Sequence, residues 1–331
     1  MKKEKITFVI PTKNRTNYLV KLIRNCEKIF TNLNYEYLII DASNNLFHNL
    51  NLRLKKEHKN IRIFRQKSKG IQLGCFESIS KVKTKYVVFL YDDDELSNYI
   101  SKIYLSNNLN KNIFSFGYGI VKPLNEKIKF YKLKENKVNK NIILSGYFGT
   151  NINNFIKTNF KNKILLPLSP ICTTYSLSFL KKWRKTILSF VYKNPFRYYF
   201  FLKKEVGPDL LIYLISIHES KKVVKLFTPY SAKFSSHDQS ISIIYGSNFL
   251  RIGYWLSKVC FFSTYHFADN NLKNKMYTFL ITSGLFLLIT NIFNFYYFKN
   301  IFLEIQKIIK KKGNKFIFSY SINLLINRIL K

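Results

Sequence analysis

Within its first hundred residues the chain alternates short apolar, β-rich runs with longer amphipathic stretches, and few architectures accept that order. Ile6-Thr7-Phe8-Val9-Ile10 is a continuous run stopped by Pro11, as expected of a buried strand. Thr16 to Phe30 puts Tyr18, Leu19, Leu22, Ile23, Cys26 and Ile29 on one helical face, with Thr16 or Asn17 as the cap. Tyr35 to Ile40 predicts a second strand, Leu46 to His58 a polar helix, Ile61 to Phe64 a third strand and Ile71 to Val82 a further helix. Tyr86 to Tyr91 is the fourth strand and runs directly into Asp92-Asp93-Asp94-Glu95. Strands separated by helices of about ten to fifteen residues make βαβ units on a parallel sheet. Such sheets bind ligands where the carboxyl ends of their strands emerge. Asp41 and Asp92 to Asp94 stand at two such ends.

Further along, the pattern loosens. Residues 110–175 are rich in Asn and Lys, with short strand candidates such as Asn112 to Phe116. Trp183 to Lys204 interleaves aromatic residues with Arg184, Lys185, Lys193, Arg197, Lys203 and Lys204. Pro208 to Glu219 reads as a helix, with Pro in the first turn and Asp209 near its positive end. Residues 241–331 are expected to be largely helical and basic, with twelve Lys or Arg against Asp269 and Glu304. The expected division is a catalytic domain over 1–240 and a helical, basic and aromatic region over 241–331.

Met276 to Phe298 has 23 residues without a formal charge, enough in length to span a bilayer. Its Thr278, Thr282, Ser283, Gly284, Thr290, Asn291 and Asn294 favour a buried or membrane-surface helix instead. Cys26, Cys75, Cys172 and Cys260 lie far apart, which argues against a disulfide framework or a structural zinc site. The opening Met1-Lys2-Lys3-Glu4-Lys5 runs at once into the first strand, without the apolar stretch of a signal peptide, so a cytoplasmic location is expected.

Charge narrows the function classes. The chain of 331 residues has 55 Lys plus Arg against 18 Asp plus Glu, a net +37. With 47% hydrophobic residues it is no disordered basic arm. Part of the surplus follows from A/T-rich codons, which favour Lys, Asn, Ile, Phe and Tyr together. The rest points to an anionic partner: nucleic acid, a phosphate-rich ligand or a membrane surface. Against this background four consecutive acids at 92–95 stand out. Adjacent carboxylates raise one another's pKa unless a cation neutralises them. A solvated loop or a helix start would also hold them. Their place at the end of an apolar strand favours a divalent metal, since Mg²⁺ and Mn²⁺ take one or two carboxylates together with substrate phosphates.

Four segments in order resemble family 2 glycosyltransferases, which have the GT-A fold. Val9-Ile10-Pro11-Thr12-Lys13-Asn14-Arg15 is similar to the family's first strand and loop, and Ile39-Ile40-Asp41-Ala42-Ser43 to its second strand. Lys69-Gly70-Ile71-Gln72-Leu73-Gly74 resembles its glycine-containing segment, and Phe89-Leu90-Tyr91-Asp92-Asp93-Asp94 its metal-binding D-x-D. The resemblance implies an α/β, GT-A type, Rossmann-like and mostly parallel sheet flanked by helices, with a helical C-terminal extension. It also implies an inverting transfer from a nucleotide-diphosphate sugar, most often a UDP-sugar, with Mn²⁺ or Mg²⁺. Asp41 would then contact the nucleobase. Pro11, Thr12, Asn14, Arg15, Lys69, Gly70, Asp92 and Asp93 would line the donor, and Asp94 with Asp92 would hold the metal. Gly207-Pro208-Asp209 is similar to the family's base-bearing helix start, which makes Asp209 the expected general base. His237 matches a late metal or diphosphate ligand. Where the family often has Asn after the glycine segment, this chain has Glu77.

A glycan or lipid-linked acceptor, capsule or lipopolysaccharide assembly and a peripheral place on the inner face of the cell membrane follow by the same analogy. Trp183 to Lys204 and Ile301 to Lys331 suit an anionic headgroup boundary. They equally suit a basic solvated face or single-stranded nucleic acid. A sugar nucleotidyltransferase would carry a Gly-rich loop after the first strand, and Pro11 to Arg15 contains no Gly. A non-enzymatic binder of nucleic acid leaves the acidic cluster unexplained, so no nucleic-acid partner is expected.

Overall fold

The computed structural model describes residues 5–97, 100–101, 104, 113–117, 119–121, 135–138, 170–226, 232–234 and 246–312. The chain divides into two compact units. One comprises Met1–Val138, Lys163–Lys185 and Ser216–Ser240. The other comprises Asn139–Asn162, Thr186–Ile215 and Ile241–Lys331.

The first unit is built on a five-stranded sheet in which β1 (Ile6–Thr12) is central. It is flanked by β2 (Tyr35–Asp41) and then β3 (Ile61–Arg65) on one side, and by β4 (Tyr86–Phe89) on the other, all parallel. The register sets Thr12 beside Asp41 and Val9 beside Phe89. Every residue of β1 is buried, as its unbroken apolar run requires for a strand covered on both faces. The crossovers are α1 (Thr16–Ile29), α2 (Asn45–Glu57) and α3 (Ile71–Lys81). Leu19, Leu22, Ile23 and Cys26 of α1 are buried, and Phe30 meets Phe8 at 4.8 Å between ring centroids. Two further strands, β5 (Glu95–Leu96) and β6 (Ile113–Phe116), belong to separate three-stranded sheets. Those sheets are completed by β7 (Gly119–Val121), β8 (Glu135–Val138), β10 (Lys222–Leu226) and β11 (Ala232–Phe234). The edge of the main sheet is β9 (Tyr175–Ser176), antiparallel to β4. It leads into α4 (Leu177–Val191), whose Trp183 packs on Phe76 and Phe89 at 5.2 and 6.2 Å.

Three local expectations change. The cap of α1 is Arg15, whose side chain makes no capping hydrogen bond, and the Thr16 hydroxyl donates instead to Asn51 Oδ1 at 2.7 Å and ties α1 to α2. Tyr18, expected on the apolar face, is exposed, with the Arg15 guanidinium 5.9 Å from its ring centre. The strand β4 ends at Phe89: Leu90 still bonds to Val9 through its N–H, and a turn closed by Asp94 N–H to the Tyr91 carbonyl follows.

In the second unit α5 (Pro208–Glu219) begins after a short helix at Pro195–Tyr198 and a π-helical turn at Tyr199–Lys203. Three long helices follow: α6 (Gly246–Thr264), α7 (Asn270–Thr290) and α8 (Phe295–Lys312). Trp255 of α6 donates its indole N–H to the Leu280 carbonyl of α7, and Gly284 leaves room for Ile305 of α8. Asp269 caps α7 by accepting from Asn271 and Leu272 N–H. Met276 to Phe298 is therefore not one helix. Asn291 Nδ2 donates to the Leu287 carbonyl at 2.8 Å and Asn294 Oδ1 accepts from Tyr297 N–H at 3.1 Å. The same asparagines that made the stretch polar thus end one helix and start the next. Among the described residues no helix is long and apolar enough to cross a membrane.

Candidate active site

The carboxyl ends of β1, β2 and β4 bring together what the sequence placed far apart. Thr12, the last residue of β1, donates its hydroxyl to Asp92 Oδ2 at 2.7 Å. Arg15, three residues on, donates from Nη1 to Asp92 Oδ1 at 3.3 Å and to Asp93 Oδ2 at 2.9 Å. Between them Asn14 takes a left-handed backbone, φ 55°, which Asn tolerates better than most residues. That turn lets Asn14 N–H reach Ser43 Oγ at 2.7 Å while Asn14 Oδ1 accepts from Asn44 N–H at 2.8 Å. The loops after β1 and β2 are thereby stitched together.

Asp41 is the hub of the second loop. Its side chain is wholly buried, and its oxygens accept from Ser43 N–H at 2.8 Å, Asn51 Nδ2 at 2.9 Å and His48 Nδ1 at 2.7 Å. Burial pushes the carboxyl up, and these hydrogen bonds from Ser43, Asn51 and His48 outweigh it, holding the pKa below the usual carboxylate range. The carboxylate reaches the expected strand end, with its known partners all inside the chain.

The acid turn is different in character. Burial raises the Asp92 pKa, the Thr12 hydrogen bond opposes this, and the Asp93 charge raises it again before Arg15 offsets part. One guanidinium, that of Arg15, is shared by two carboxylates. Asp94 follows within the turn and is half-buried. Among the described residues no three His, Cys, Asp or Glu side chains form a metal cage by themselves. A Mg²⁺ or Mn²⁺ site that draws most of its shell from phosphate and water needs only one or two hard carboxylate oxygens. Asp92 and Asp94 are of that kind.

Lys69 and Gly70 are exposed at the start of α3. Gly70 has φ 102°, a conformation that L side chains rarely adopt, and its carbonyl accepts from Gln66 Nε2 at 2.6 Å. Glu77, one helical face away, reaches back to Lys67 N–H at 3.0 Å and Ser68 N–H at 2.7 Å and bonds the Ser68 hydroxyl. It holds the loop before α3. Pro11 is buried in β1. His237 lies outside the described residues.

Asp209 belongs to the second unit and is described there. Gly207, at φ 115°, turns the chain into α5, and its carbonyl accepts from Ser257 Oγ at 2.7 Å. Asp209 Oδ2 accepts from Tyr254 OH over a long 3.4 Å, while Oδ1 is buried with no hydrogen-bond partner among the described residues. Burial raises its pKa, with backbone N–H groups at the helix start pulling part of the way back. A poorly solvated carboxylate with one free oxygen has the properties of a proton acceptor.

His48, Asn51, Ser43 and Glu77 were not foreseen as organisers of the site. His48 and Asn51 are three apart on α2 and so share a face, a signal the sequence carries once Asp41 is suspected.

The family model described as glycosyl transferase family 2 matches residues 7–184. An uncharacterized glycosyltransferase of Rickettsia felis is 31% identical over 150 residues, 45% of this chain and 23% of that relative. A second, from Rickettsia conorii, is 33% identical over 128 residues, 38% of this chain and 20% of the relative. The chain thus spans about a quarter or less of the length of these curated relatives. The fold is similar to that of S. aureus TarS residues 1–349 in complex with UDP-GlcNAc. That likeness has a TM-score of 0.53 at 14% identity and covers 83% of this chain and 71% of that one.

Proposed function

The chain belongs to glycosyl transferase family 2, and from that membership we propose a metal-dependent inverting transferase that moves a sugar from a UDP-sugar to a glycan or lipid-linked acceptor. The observation that carries this reading is the meeting of Thr12, Arg15 and Asp92 beside the Asp41 loop at one end of the parallel sheet. The similar fold of TarS, solved with UDP-GlcNAc, supports uridine as the base. Asp41 and its loop would form the wall against the base. Pro11, Thr12, Asn14, Arg15, Lys69, Gly70 and Asp93 would line the rest of the donor. Asp94 and Asp92 would hold Mg²⁺ or Mn²⁺, which when bound neutralises charge on the departing diphosphate. His237, by the same family analogy, would be a further metal or diphosphate ligand.

In this chemistry an acceptor hydroxyl oxygen bonds to the anomeric carbon as the bond from that carbon to the diphosphate oxygen breaks. The nucleoside diphosphate leaves with the electron pair, and the hydroxyl proton passes to Asp209. A carboxylate raised by burial is the stronger base for that proton. Residues 1–240 are assigned the transfer and 241–331 attachment to the inner face of the cell membrane, in the setting of surface-polysaccharide synthesis. The test is a panel of nucleotide sugars scored for thermal stabilisation and for Mg²⁺- or Mn²⁺-dependent release of nucleotide. Stabilisation by one UDP-sugar supports the reading. If no nucleotide sugar binds with or without metal, the reading fails.

A further inference from the structure

Phe293 stands wholly in solvent at the turn between α7 and α8. Its neighbours share that exposure: Ile289, Ile292, Phe295 and Tyr296 are all open, Phe295 by 76%. A soluble surface seldom leaves five large apolar side chains together at one tip. Asn291 and Asn294 tie the turn to the helix ends on either side of it. The rings behind it are packed: Phe196 lies 6.0 Å from Tyr296 and 6.4 Å from Tyr297, and Phe249 stacks on Phe200 at 4.6 Å. The tip is thus an apolar wedge on a firm base.

Charge identifies the occupant. From 286 to 312 the acids and bases are Glu304 against Lys299, Lys307, Lys310, Lys311 and Lys312. Glu304 is buried and taken up by Arg197, Asn194 and Lys307, so this hairpin presents no exposed carboxylate. Beside it the segment around Phe196 exposes Tyr192, Lys193, Tyr198 and Lys203. Apolar and aromatic side chains at the point, with exposed Lys299 one turn behind Phe295 and Lys193 and Lys203 on the neighbouring segment, match an anionic bilayer, where rings enter the headgroup boundary and ammonium groups meet phosphate.

We propose that the α7–α8 turn, led by Phe293 and Phe295, inserts into the headgroup region of an anionic membrane and seats the protein there. The inference rests on the peripheral placement proposed above and names the segment that makes contact. It is read without donor or acceptor, so its failure and that of the transferase reading are separable. The experiment is flotation of the full chain with vesicles of phosphatidylcholine, with and without phosphatidylglycerol, at low and high salt. The wild type is expected to float with the phosphatidylglycerol vesicles. The double variant Phe293→Ser/Phe295→Ser should keep its melting temperature and lose at least about tenfold in affinity. Lys299→Gln should weaken binding by about fivefold at low salt and less at high salt. No flotation of the wild type, or equal flotation of the double variant, overturns the proposal. So does sedimentation showing a wild-type dimer that the double variant dissolves, since a second copy would then cover the tip.

Discussion

The hydroxyl of Thr12 donates to Asp92 Oδ2 at 2.7 Å, so the last residue of the central strand grips the first acid of the turn beyond its neighbour. The side chain of Asp92 is only 6% exposed, and its other oxygen has the longer contact to Arg15. Thr12→Val keeps the strand's shape but removes the donor. It is expected to cost about 1.5–3 kcal/mol of stability, as for a hydrogen bond to a buried charge. Transfer should fall as Asp92 loses its orientation. Chemical denaturation and donor saturation curves check the two effects.

Asp94→Ala separates folding from function. The side chain is half-buried in a turn that its backbone closes, so the melting temperature should stay within a few degrees of wild type. Transfer with any donor should fall to background, and the stabilisation that Mg²⁺ or Mn²⁺ adds in the presence of UDP should vanish. An Asp94→Ala protein that transfers at the wild-type rate would remove Asp94 from the metal assignment.

Asp41 gives a pH signature. Its folded-state pKa lies below the unfolded value, with burial opposing and the Ser43, Asn51 and His48 bonds prevailing. Its contribution is therefore complete above the unfolded pKa, about 3.9, and is lost as pH falls through the lower folded value. Asn51→Leu leaves that buried carboxylate short of a donor and should cost about 1–3 kcal/mol at neutral pH. Denaturant midpoints measured from pH 7 downward should show the wild type and Asn51→Leu converging as Asp41 protonates.

Much of this was legible from periodicity. The order of strands and helices through Phe89 follows from runs such as Ile6 to Ile10, because a buried parallel strand has no polar alternation to obscure it. The strand ends put Asp41 and Asp92 on one edge for the same reason. What stayed hidden depends on side-chain geometry. Thr16 looks like a cap by residue type, yet its hydroxyl is used by Asn51, and Tyr18 falls on the apolar face by count but lies in the open beside Arg15. His48 shows only its spacing from Asn51 on α2, which gains meaning once β2 and α2 bring both to Asp41. The uncharged stretch from Met276 had its break written in Asn291 and Asn294, but asparagine reads as polarity before it reads as a cap.

Gly207 is tightly constrained by both its backbone and its neighbours. Its φ of 115° disfavours any L side chain, and a Cβ there would stand 2.5 Å from Ser257 Oγ and 2.7 Å from the Gly253 carbonyl. Gly207→Ala should destabilise the protein by about 2 kcal/mol or more, measured by denaturant melts. It should also lower transfer, because the same turn sets the start of α5 and hence Asp209.

Asp209 itself yields the sharpest kinetic expectation. Burial raises its pKa, and the Tyr254 hydroxyl bond works in the opposite direction. A general base acts only when ionised, so kcat/KM should climb with pH through this raised value and then level. Tyr254→Phe removes one donor to the carboxylate, pushes the pKa further up and should move the climb to higher pH without abolishing the plateau. Asp209→Asn should hold UDP-sugar as well as wild type does and lose about a hundredfold to ten-thousandfold in kcat on the plateau, the deficit narrowing at low pH where the wild-type carboxyl is protonated too. A profile whose rising limb is unmoved by Tyr254→Phe would mean that the proton goes to another group.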